Sequence, residues 1–180
     1  MSSVQAAEPQ RIAEFIGALE HLDAGGRARL RRNAGRTLAE SRNVYRVFFQ
    51  TVPYGTPRWA EEDYFLVATL FPLVHHQPGA GSLGHTLYRV RNRNSSARAN
   101  SLDHRFQTLL DSNREQLTFR LRQVVRLIAS SELRIDWAEL LNHALAWESE
   151  ARWVQLRWAR DYYAHGDRFA DVPVESDKNS

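Results

Sequence analysis

The amino-acid sequence predicts an all-α protein of two small helical lobes, an N-terminal helical bundle and a C-terminal four-helix bundle. Apolar residues recur at helical spacing through nearly the whole 180-residue chain. Helix-capping signals divide residues 101–163 into four segments. Between the halves lies RNRNSSARANS, which is basic, polar and without a large apolar residue, so residues 92–100 read as a linker joining lobes at 1–91 and 101–165.

Taken in order, Ile12, Phe15, Ile16 and Leu19 form the buried face of an opening helix that stops near the Asp23, Gly25, Gly26 turn. A short helix from Gly26 carries an arginine cluster. Val44, Tyr45, Phe48 and Phe49 form the next apolar face, ended by Pro53 and the turn-rich TVPYGTP. A helix over 59–75 follows with Tyr64, Phe65, Ala68 and Phe71 inward, and Pro72 kinks or ends it. Its opening acids, Glu61, Glu62 and Asp63, suit the positive end of the helix dipole. After the loop HHQPGAGS, Ser82 caps a helix over 83–91. In the second lobe Ser101 caps one helix, and Ser112 with Glu115 makes a capping box before the stripe Leu117, Leu121, Val124, Val125 and Ile128. Asp136 with Glu139 makes a second box, and Ser149 stands before the last helix. Gly166 stops that helix, and residues 166–180 read as a disordered tail.

Composition narrows the function classes. Hydrophobic residues make up 43% of the chain, enough for a substantial core. With no cysteine there are no disulfides or thiolate metal sites, which fits a reducing compartment. The start MSSVQAAEPQ lacks a charged leader followed by an apolar run, and no stretch reaches the roughly twenty apolar residues a membrane span needs. A soluble, cytoplasmic protein is expected. The seven histidines form no His-Glu-x-x-His, there is no Gly-x-Ser-x-Gly elbow, and no glycine-rich phosphate loop leads to a lysine. No metal and no cofactor are expected. His104, Arg105 and Tyr162 could in principle assemble a metal-free RNA endonuclease, and a protein-only helical adaptor is a further alternative. Trp137, Trp147, Trp153 and Trp158 read as core, whereas Trp59 beside Arg58 is more open.

Charge distribution says more than the net +3. The chain has 23 arginines and one lysine. Residues 24–58 hold eight arginines against Glu40 alone, and 84–100 hold four with no acid, while 102–163 balance nine arginines with nine acids. Arg27 and Arg31 are a like-charge pair one helical turn apart, which is unfavourable unless something anionic neutralises it. Together with Arg29 and Arg32 they predict a phosphate-binding cluster. Arg114, Arg122 and Arg126 lie four or eight residues apart on a face distinct from the apolar stripe and, with Arg105 on the preceding helix, predict a second phosphate-facing row.

The words RFQTLLDSNREQL at 105–117, LRQVVRLI at 121–128, IDWAELL at 135–141 and WARDYY at 158–163 resemble the CasB family, the small subunit of the type I-E CRISPR surveillance complex Cascade. GRARLRR at 26–32 and SLGHTLYRVR at 82–91 resemble it too, in the family's order. The resemblance implies an all-helical, non-catalytic subunit that sits as a pair along the inner side of Cascade, with its large and backbone subunits as neighbours. Basic surfaces would hold guide RNA (crRNA), target DNA and the displaced strand during R-loop formation. It further implies backbone-contacting roles for Arg31, Arg32, Arg105, Arg114 and Arg122, and a similar role for Arg58.

Overall fold

The computed structural model describes residues 2–74 and 79–164. His75 at the end of the fourth expected helix, residues 76–78 of the following loop, Gly166 and the expected tail lie outside the described residues. Among the described residues all regular structure is helical. Helix α1, Ser2–Glu20, buries Ile12, Phe15 and Leu19, as their spacing requires. Helix α2, Ala24–Arg32, starts two residues before Gly26 because Asp23 caps it, accepting the Gly26 N–H at 2.5 Å. A 3-10 turn, Arg42–Val44, leads into α3, Tyr45–Thr51, where Val44 and Phe48 are buried and Phe49 stays half-exposed.

A second 3-10 turn, Arg58–Ala60, opens α4, Glu61–Leu70, in which every residue from Asp63 onward is buried. Helix α4 is therefore central rather than amphipathic, and α2, α7 (Arg114–Ala129) and α8 (Trp137–Leu145) pack around it. Pro72 acts as expected. It ends α4 in the 3-10 turn Phe71–Leu73, where its missing N–H and fixed φ are tolerated.

Helix α5, Leu83–Asn92, is capped by Ser82, whose Oγ accepts the His85 N–H at 3.3 Å and donates to Asp161 at 2.6 Å. Helix α6, Ser96–Leu110, corrects the expected linker: residues 96–100 are its first turn, and Ser95 rather than Ser101 occupies the N-cap position. Ala97 and Ala99 are strong helix formers, and Ala99 is buried. A reading keyed to large apolar residues overlooks this turn because a methyl group suffices to fill the contact.

The other caps also shift. Asn113 with Gln116, not Ser112 with Glu115, makes the capping box of α7. Ser112 is buried and donates to the Leu109 carbonyl, closing α6. Asp136 does cap α8, accepting the Glu139 N–H at 2.9 Å, but the Glu139 carboxylate turns to Arg157 instead of completing a box. Helix α9, Trp153–Tyr163, begins after Arg152, held left-handed at φ 46°, while the Ser149 hydroxyl is buried and caps nothing. Arg152 is anchored by donating to the Leu110 carbonyl at 2.5 Å.

One hydrophobic core runs from Ile12 to Tyr162 through both halves of the chain. Helix α5 packs chiefly on α9 and also touches α6 and α7, and α1 reaches across to α8. Asp103 ties three helices together, accepting from Tyr162 Oη at 2.5 Å and pairing with Arg91 at 2.8 Å. Trp137, Trp147 and Trp158 are core residues as expected; Trp147 donates to the Ser112 carbonyl at 3.1 Å and Trp158 to His143 Nδ1 at 2.9 Å. Trp153 is 38% exposed. Among the described residues no helix is long and apolar enough to cross a membrane.

Candidate nucleic-acid interface

The first basic cluster stands on α2. Arg27, Arg31 and Arg32 line a groove of about 700 Å³ with Ala24, Ala28 and Pro72. Arg31 and Arg32 are exposed, and among the described residues neither they nor Arg29 has an acid within ion-pairing distance. Arg27 is half-buried, fixed by an Nε donation to the Leu22 carbonyl at 2.8 Å, and lines the groove. Helix α2 places this cluster with its last turn, where the partial negative charge of the helix end favours cations.

Arg122 of the second cluster packs on Gly35, three residues past α2. Gly35 is left-handed (φ +88°), and a Cβ there would lie 2.6 Å from Arg122 Cδ and 3.3 Å from its Nε. The Arg122 stem therefore lies flat on the glycine backbone, an approach that a side chain would block. Among the described residues its buried Nε–H has no acceptor. One turn on, Arg126 is exposed and shares that face. Helix α7 also packs on the Phe71–Leu73 turn, which lines the α2 groove through Pro72, so the two clusters flank a shared element.

Arg114 does not belong to this row, contrary to the expectation from spacing. Its guanidinium forms an ion pair with Asp63 on α4, donates to the Ala144 carbonyl at 3.1 Å, and lies 3.7 Å from Glu148. It sits at the opening of α7 and ties that helix to α4 and α8. The acid triplet that opens α4 is correspondingly divided. Asp63 is buried and paired, and Glu62 accepts the Leu38 N–H at 3.1 Å.

This pairing has a pH signature. Burial pushes the Asp63 carboxyl up to about 6, against the attraction of Arg114. Between the ordinary carboxylate value of about 3.9 and this raised value the folded state holds a proton that the unfolded chain has released. Asp63 thus adds stability as pH falls through 6 and loses it as pH rises. His143 does the opposite: burial and the charge of Arg157 push it down to about 4, so stability is lost as pH falls from about 6.5. Asp63→Asn removes the opposing contribution. Urea midpoints measured across pH 4 to 6.5 are expected to fall more steeply in that variant than in the parent; parallel curves would show that Asp63 takes up no proton.

Arg105 is exposed on α6 and lines a different cleft, together with Arg98. Arg58 is exposed on the turn leading into α4, beside Trp59, which is 68% exposed. His104 is exposed, whereas Tyr162 is buried with its hydroxyl donated to Asp103. Among the described residues no group of three or more His, Cys, Asp or Glu could hold a metal ion.

Two exposed residues escaped the sequence reading. Phe119 is half-exposed and stands three and seven residues before Arg122 and Arg126, on their face. Its position off the apolar stripe was the available signal. Arg98 went unassigned because its helical turn was read as linker; once residues 96–110 are helical, Arg98 and Arg105 fall two turns apart on one face.

The family model for CRISPR-associated protein Cse2 matches residues 26–163. A curated Cse2 protein of Thermus thermophilus is 38% identical over 125 residues, 65% of this chain and 70% of the relative. The solved structure of a Cse2-family protein from the same species has a TM-score of 0.72 at 31% identity, covering 86% of this chain and 97% of that one. That of M. ruber CasB has a TM-score of 0.69 at 32% identity, covering 85% and 92%. A chain of a CRISPR RNA-guided surveillance complex shares the fold, with a TM-score of 0.73 at 21% identity over 89% and 96%. The matched residues take in α2 from Gly26 on with its arginines, α7 with Arg122 and Arg126, and the closing helix α9: the chain belongs to the CRISPR-associated Cse2 family, also called CasB.

Proposed function

We propose that this chain is a non-catalytic nucleic-acid-binding subunit of a CRISPR Cascade complex, holding guide RNA and target or displaced DNA strands and stabilising the R-loop in antiviral defence. The observation that carries this reading is that Arg31, Arg32 and Arg126 are exposed with no ion pair among the described residues, while Arg122 packs on Gly35 three residues past α2. Guanidinium forks bind phosphate bidentately, and a buried N–H such as Arg122 Nε is unfavourable by about 1–3 kcal/mol until an acceptor reaches it. Family membership and the fold shared with a surveillance-complex chain support the same reading. The other Cascade subunits, large and backbone, and a second copy of this chain are its proposed neighbours.

The mechanism requires no bond chemistry. R-loop formation exchanges one duplex for another of similar stability, so a few backbone contacts tip the balance. Such contacts carry no base information, and sequence reading stays with the guide. Binding of single-stranded oligonucleotides to the purified chain is therefore expected to be weak, indifferent to sequence and steeply salt-dependent, log affinity falling with log salt by about 0.7 to 0.9 per phosphate contact. A titration in which affinity holds constant between low and physiological salt would overturn the phosphate reading.

A further inference from the structure

Helices α5, α6 and α7 enclose a second concavity of about 450 Å³, separate in its lining from the α2 groove. Its floor is formed by Val90 and Leu102, each 3% exposed, and by the half-buried Leu127, and its α6 side carries Arg98 and Arg105. Seven residues apart on one helix, these arginines stand about 10 Å from each other along the axis, with Ser101 between them. Both are exposed, and among the described residues neither has an ion pair or side-chain hydrogen bond. The acid closest in sequence, Asp103, is occupied by Arg91 and Tyr162. Ser130 at the rim donates to the Leu127 carbonyl, and its preceding turn carries Arg126, so the cleft continues the α7 face.

A purely ionic site needs no apolar floor, and an apolar ligand needs no two unpaired guanidiniums. An unstacked nucleotide requires both: a flat apolar bed for base and sugar, and cations for the phosphates on either side. Neighbouring phosphates are closer than the two helix positions, but long arginine side chains converge readily. A base inside a stacked duplex cannot reach such a floor. We propose that this cleft holds one nucleotide of a single-stranded nucleic acid, with its base and sugar on Val90, Leu102 and Leu127 and its flanking phosphates on Arg98 and Arg105. The inference rests on the nucleic-acid-binding function proposed above and assigns Arg98 a role in it.

The test uses the full chain at low salt with decamers of deoxythymidine or uridine whose central base carries a trifluoromethyl aryl diazirine, which on irradiation loses dinitrogen to a carbene that inserts into aliphatic C–H bonds, the products being mapped by mass spectrometry. Cross-links are expected at Leu102 or Leu127, reduced about tenfold in Arg98→Ala/Arg105→Ala, whose circular dichroism should match the parent. The ratio of deoxy to ribo cross-links names the strand type. A decamer with an abasic centre is expected to bind several-fold more weakly to the parent but equally well to the double variant. Cross-links elsewhere at undiminished yield, or equal parental affinity for the abasic and intact decamers, overturn the proposal. If decamer binding is salt-sensitive and lost in Arg31→Glu/Arg32→Glu but untouched in Arg98→Ala/Arg105→Ala, the phosphate-binding function stands and the nucleotide cleft falls. If the parent shows no salt-sensitive binding, both fall.

Discussion

Arg31→Glu/Arg32→Glu is expected to leave the subunit folded and incorporated while weakening guide-dependent binding of matched duplex by roughly thirtyfold. Both side chains are exposed on the last turn of α2 and, among the described residues, neither is in an ion pair, so no ion pair is broken and only a favourable interaction with the helix end is lost. Reversal removes two attractions to phosphate and adds two repulsions, each on the order of 0.5–1 kcal/mol at an exposed site, for a total of about 2 kcal/mol or more. The loss should shrink as salt rises, because screening weakens attraction and repulsion alike. Arg126→Glu is the matching change on α7. Arg122 is unsuited to the same experiment, since its stem packs on Gly35 and its Nε is buried, so charge reversal there would disturb packing as well as potential. Unchanged duplex binding with the double variant incorporated would show that the α2 face does not hold the strands. A folded variant that no longer incorporates would make this face a docking surface for guide RNA or a neighbouring subunit.

Gly84→Ala should destabilise the fold by about 3 kcal/mol, as overpacking against an immovable neighbour does. Helix α5 crosses α9 at Gly84 so closely that an added Cβ would overlap the Trp158 backbone, lying 2.8 Å from its Cα and 2.9 Å from its carbonyl carbon. Trp158 cannot retreat: its ring is buried against Trp147 and bonded to His143. For a chain of this size the loss corresponds to a drop in Tm of roughly 6–12 °C. Gly17→Ala in α1 is the control. Nothing lies within 4 Å of the added methyl there, and the gain in helix propensity is expected to stabilise by about 0.5–1 kcal/mol. A melting temperature unchanged by Gly84→Ala would mean that α5 and α9 separate without cost.

Much of the helical architecture was legible because it is written in local terms. Side chains three and four residues apart share a face, so the burial of Ile12, Phe15 and Leu19, and of Leu117, Leu121, Val124, Val125 and Ile128, follows from spacing alone. Ser82 and Asp136 act as helix-start signals because a short polar side chain reaches a backbone N–H three residues on. The charge blocks were equally plain, since counting requires no fold.

Tertiary structure decided which arginines remain free. Arg114 and Arg122 look alike in sequence, eight residues apart on one helix. Only the fold brings Asp63, 51 residues earlier, against Arg114, and lays Arg122 on the left-handed Gly35. The first alanines of α6 belong to the helix and place Arg98 in register with Arg105, which their small size concealed. By itself, then, the sequence determined an all-helical chain with two arginine clusters and a family likeness. The fold alone decided that Arg122 packs on Gly35 just past the first cluster, that Arg114 is occupied by a buried carboxylate and that Arg98 flanks an apolar cleft, because ion pairs and close packing join residues distant in sequence and no local periodicity records them.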